Sequence, residues 1–117
     1  MKTFLLLALA AMGAAADDAA ALWTAKVQPL LQERCIECHG PAKTKGGLRL
    51  DSREGMLAGG KELGPAIIPG KPDESPLVAV CLLPRDEDKA MPPKDPALTA
   101  EQVGWLKAWI AGGAPTP

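Results

Sequence analysis

The sequence predicts a small, mainly α-helical single domain, and three features predict it. From Ala19 to Arg34 the apolar residues Trp23, Val27, Leu30 and Leu31, then Cys35, recur at three- and four-residue steps, one face of a helix. Near the other end, Thr99 and Gln102 form a capping-box pair, Leu98 and Val103 a hydrophobic staple, and Gly112-Gly113 a stop. That last helix carries Val103, Leu106, Trp109 and Ile110 on one stripe and Trp105 on a neighbouring one. Between the two helices stands Cys35-Ile36-Glu37-Cys38-His39, a C-x-x-C-H. The helices are expected to pack across each other, because no third long helix can cover either stripe. There are no internal repeats.

The start of the chain reads differently from the rest. Met1-Lys2 gives a short positive end, Thr3 to Gly13 is apolar, and Ala14-Ala15-Ala16 offers an A-x-A cleavage site before Asp17-Asp18. This is the layout of a secretory signal peptide over residues 1–16, leaving 17–117 as one domain in the periplasm or cell envelope. The apolar run is shorter than the ~20 residues that span a bilayer, so stable membrane insertion after cleavage is not expected. A formal net charge of −1, without a basic patch or interleaved aromatics, argues against nucleic acid.

Taking the middle in order, Pro29 either kinks the first helix or opens a fresh one. Gly40-Pro41 stops it, and Lys43 to Gly47 reads as a mobile basic loop. Leu48 to Asp51 alternates in the period of a short strand. Ser52 to Ala58 forms a brief helix capped by Asp51 or Ser52 and ended by Gly59-Gly60. Ala66-Ile67-Ile68 could pair with Leu48 to Leu50 as a small β-hairpin insertion. Ser75-Pro76 supplies an N-cap oxygen and a first-turn proline for a helix carrying Leu77, Val78, Val80, Cys81 and Leu82. A charged loop, Arg85 to Lys89, leads to Met91-Pro92-Pro93.

Two thiols three positions apart, followed at once by an imidazole, are what covalent c-type haem attachment requires. Cys35 and Cys38 would each add to a haem vinyl group, and His39 would bind the iron. The competing readings are a disulfide, a zinc half-site and a thioredoxin-like redox pair. Zinc would need Cys81 or a carboxylate as a further ligand, because His39 is the only histidine. The redox pair wants a βαβ frame that is not visible. For the sixth iron position, Met91 is presented by a loop that Pro92 and Pro93 should keep extended. Its alternative role is filling a core gap. Met56 reads as packing. Leu48 and Leu50 are expected to face the ring, with Arg49 toward solvent or a haem propionate.

The stretches Val27 to Leu31, Cys35 to Pro41, Lys45 to Arg53, Gly64 to Gly70, Met91-Pro92-Pro93 and Trp109 to Ala114 together resemble the planctomycete-type cytochrome c domain. The Gly-Gly-Leu-Arg-Leu-Asp-Ser run at residues 46–52 is the specific part of that likeness. The resemblance implies a class I-like c-type cytochrome: a small helical fold around one covalent haem c. It implies Cys35 and Cys38 as thioether positions, His39 as proximal ligand and Met91 as distal ligand. Cys81 falls where an ordinary apolar residue is expected, and reads as a buried thiol acting as a small hydrophobe.

The expectation is therefore an exported mono-haem electron carrier, not an enzyme, with redox protein partners and no catalytic residue. One alternative is a gas- or peroxide-binding haem protein with a labile sixth ligand. Another is a non-haem interaction module with a Cys35–Cys38 disulfide.

Overall fold

The computed structural model describes residues 15–94 and 96–117. Most of the signal-peptide stretch, and Asp95, lie outside the described residues. The first helix, α1, spans 15–34, in which a π-helical turn, Trp23–Val27, leads into the α-helical Gln28–Arg34. Pro29 explains the change of winding. It has no N–H to donate, and its ring crowds the carbonyl four residues back. The chain widens by one residue just before it, so that the Gln28 N–H bonds Trp23 O, five residues earlier. The helix does not restart, because Val27 and Gln28 both keep helical φ and ψ.

Three further helices follow: α2 (Arg53–Ala58), α3 (Pro76–Cys81) and α4 (Ala100–Ala111), with single 3-10 turns at Lys45–Gly47 and Pro72–Glu74. Ser52 caps α2 by accepting from the Gly55 N–H at 3.0 Å. The capping box of α4 is complete: Gln102 N–H donates to Thr99 Oγ1, and Thr99 N–H to Gln102 Oε1. Its far end closes in a Schellman turn. Gly113 N–H bonds Ile110 O and Ala114 N–H bonds Trp109 O, with Gly113 at φ +100° where only glycine is at ease. Arg53 adds a cation there, donating to the Gly113 and Ala114 carbonyls and tying α2 to the end of α4.

The expected crossing of first and last helices is the centre of the core. Trp23 and Trp109 stack with ring centroids 5.1 Å apart, and Trp109 is fully buried with its indole N–H donating to Pro115 O. Val27, Leu31, Leu106 and Ile110 complete the contact. Near the top of α1 the small Ala19 meets Gly112, where an added Cβ would lie 2.4 Å from the alanine's own. Trp105 stays half-buried, with Lys26 Nζ 5.1 Å from its ring centroid. Met56 is fully buried, as its packing role requires.

Two expectations fail. No strand forms among the described residues, so the β-hairpin insertion is absent. The Leu50 N–H goes to His39 O at 2.7 Å and the Ala66 N–H to Met56 O at 2.8 Å, which spends on other partners the donors a hairpin would have used. Ser75 opens α3 without capping it through its side chain. Its hydroxyl is buried and turns backward, accepting from Ile68 N–H and donating to Lys71 O. The loop at Lys43 to Gly47 contains a 3-10 turn, Lys45–Gly47, whose Gly46 and Gly47 have positive φ.

Candidate functional site

The C-x-x-C-H motif sits directly after α1. Cys35 continues the helix by donating to Leu31 O, and Cys38 and His39 both donate to Cys35 O. This tight turn presents both thiols to the same cleft. Gly40 is required by close packing: a Cβ there would stand 2.4 Å from Ile36 O. The chain then folds back, with Lys45 N–H on Cys38 O and Thr44 Oγ1 on Gly40 O.

That return fixes the imidazole. His39 Nδ1 lies 3.1 Å from Lys45 O, and a carbonyl oxygen can only accept, so Nδ1 carries the proton. In the neutral ring Nε2 then carries the lone pair that a metal-binding imidazole needs, and the same bond holds the ring orientation.

Cys35, Cys38 and His39 line a cleft of about 180 Å³ whose walls are almost wholly apolar. Leu48 and Leu50 form one side, Leu77 and Val80 of α3 another, and Met91 enters from its own loop. Met91 is anchored by its N–H on Val80 O at 2.9 Å. Its loop is a series of bends through 91–94 and not the extended segment expected from Pro92-Pro93. Arg49 is set apart from the cleft. It pairs with Asp51 across a bidentate contact of 2.5 and 2.7 Å, which holds the Asp51 carboxyl below its usual range.

Leu77, Val80 and Cys81 line the site although the sequence did not assign them to it. Cys81 is 7 % exposed and lines the same cleft as the motif thiols. Sequence spacing placed it on the apolar face of α3, but not which cavity that face lines. All three cysteines are free thiols. Burial pushes Cys35 up to about 12, with a smaller contribution from neighbouring Cys81, and burial pushes Cys81 up to about 11. Among the described residues no group of three or more His, Cys, Asp or Glu side chains is arranged to hold a metal ion, so the zinc reading lacks its ligand set.

The donor set fits a c-type haem: two free thiols, an imidazole with Nε2 available and a thioether, all on one apolar cleft. The family comparison agrees. The model for planctomycete cytochrome C matches residues 35–95, just over half of the chain, from the first motif cysteine to just beyond Met91. The chain belongs to the planctomycete cytochrome C family. Family membership makes this a c-type cytochrome domain and implies covalently bound haem c. The matched range omits α1 and α4, so the helix pair of the core lies outside it. No curated protein and no solved structure matches the chain.

Proposed function

We propose that this cytochrome domain is an exported, mono-haem electron carrier with His39 and Met91 as axial ligands. Cys35 and Cys38 would hold the group through thioethers, and Leu48, Leu50, Leu77 and Val80 would keep water from it. When bound, the haem supplies a one-electron iron couple whose potential the axial ligands and the dry surroundings tune. The observation that carries the proposal is the convergence of both thiols, the tautomer-fixed His39 and Met91 on one apolar cleft. One cleft with one attachment motif supports a single haem. A Met ligand closes the sixth position, which favours electron transfer over substrate chemistry. The apolar run and A-x-A site at residues 1–16 support export. No helix among the described residues is long and apolar enough to cross a membrane.

Spectroscopy of protein matured by a haem-ligation system tests the ligand assignment. The oxidised protein should show the weak far-red sulfur-to-iron band, and the reduced protein should resist carbon monoxide. Met91→Ala should lose the band and bind carbon monoxide, while Met56→Ala should do neither. A wild type that lacks the band and binds carbon monoxide readily would favour the gas-binding alternative.

A further inference from the structure

The loop that carries Met91 has little main-chain support of its own. Pro92 and Pro93 have no N–H, and the segment forms no regular structure. Two arginines from different elements meet it instead. Arg34 Nη2, from the last residue of α1, donates to Lys94 O at 3.1 Å and Pro96 O at 2.5 Å. Arg85 Nη2, from the loop after α3, donates to Pro92 O at 2.5 Å and Lys94 O at 3.4 Å. The two guanidinium groups thus converge on one carbonyl, Lys94 O, and satisfy acceptors on both sides of it.

We infer that Arg34 and Arg85 are positioning residues that strap the Met91 loop over the cleft and set how firmly the sixth coordination position is closed. This rests on the reading of Met91 as the distal ligand. Arg34 immediately precedes Cys35, so the strap joins the loop bearing the thioether to the segment bearing the attachment thiols. Each guanidinium reaches two carbonyls through the N–H bonds of a single Nη2, and because that donor is charged its hydrogen bonds are stronger than those of a neutral amide. With both arginines present, displacing Met91 from the cleft breaks hydrogen bonds from charged donors. Without them, the loop hinges at Met91 N–H with only its prolines to limit it. The strap therefore separates a closed carrier from an open, ligand-binding form of the same protein.

The test compares haem-loaded wild type with Arg85→Gln, Arg34→Gln and the double variant. Lys71→Gln, exposed and away from the cleft, controls for loss of a positive charge. Four quantities are read: covalent haem content, the far-red band during heating, carbon monoxide affinity of the reduced protein, and hydrogen exchange at the Met91 amide, which bonds Val80 O. Expected for each single variant is a band lost well before global unfolding and carbon monoxide affinity raised about tenfold, the scale of losing a charged-donor hydrogen bond. The double variant should go further, the Met91 amide should exchange faster, and haem content and Lys71→Gln should match wild type. Variants that keep the band up to global unfolding, with unchanged carbon monoxide affinity and Met91 exchange, overturn the inference. A wild type without the band overturns the Met91 assignment instead. In that case Met91 exchange alone decides whether the arginines hold the loop. Should the double variant fail to fold, Arg85→Gln, altered at an exposed position, carries the comparison.

Discussion

Around Trp23 and Trp109 the chain buries side chain against side chain, whereas around Cys35 and Met91 it ties loop to loop through main-chain and guanidinium hydrogen bonds. The first region is two capped helices with large apolar residues on facing stripes. The second is a set of turns whose donors find specific carbonyls: Leu50 on His39, Lys45 on Cys38, Met91 on Val80. The difference teaches a division of labour. The helix pair supplies the packed core, and the turns frame the apolar cleft that carries the attachment motif. Damage to the two regions should therefore read out differently, in folding for one and in haem retention for the other.

The largest separation should come from Trp109→Ala. It empties a fully buried site and removes the ring stacked on Trp23, so ~3–5 kcal/mol of stability should be lost, a large share for a domain this small. Denaturant unfolding measures it, and haem-loaded yield should fall with it. A loss near that of a surface change would show that the stack is not the core.

Gly40→Ala probes the other region. Its Cβ would collide with Ile36 O, displacing the turn that orients Cys38 and His39. Covalent haem content should fall several-fold while the Trp23–Trp109 signature of the folded chain survives. Equal loss of both would merge the two regions into one cooperative unit.

A smaller effect is pH dependence. In the haem-loaded protein Cys35 is no longer a thiol, and Cys81 remains, pushed by burial from the ordinary thiol range up to about 11. The folded chain then keeps a proton that the unfolded chain has already released. The stability from that buried thiol is intact below about pH 9 and is lost as pH rises through about 11. Unfolding curves across this window should show a decline that Cys81→Ala lacks. Identical slopes in both would mean that Cys81 is not shielded by the cleft.

Much of the helix region was legible in the sequence, because caps and stripes are local signals. Thr99, Gln102, Leu98, Val103 and the paired glycines all act within a few residues of the ends they define. The attachment motif was legible for the same reason. The hairpin was misread because the alternation of Leu48 and Leu50 reflects two leucines lining a cleft, not a ladder. Strand pairing depends on which carbonyls lie nearby, and here His39 O and Met56 O were nearer. Ser75 was misjudged because its hydroxyl turns back to Ile68 and Lys71, seven and four residues earlier, and not forward into α3. The arginine strap spans 60 positions from Arg34 to Lys94, beyond the reach of any local pattern.

The smallest effects should fall at the ends and edges of α4. Thr99→Ala removes one half of the capping box and should cost about 1 kcal/mol. Trp105→Ala, at a half-buried position facing Lys26, should cost clearly less than Trp109→Ala. Thermal unfolding of the three variants side by side gives the order.

The central claim, that the cleft holds a single covalent haem through Cys35 and Cys38, is tested most directly by intact mass under denaturing conditions. The protein is matured with a haem-ligation system and compared with Cys35→Ala/Cys38→Ala. The account predicts wild type heavier by one haem and the double variant at the mass of the bare chain. Wild type without added mass, or with two haems, or a double variant that still carries one, would contradict it.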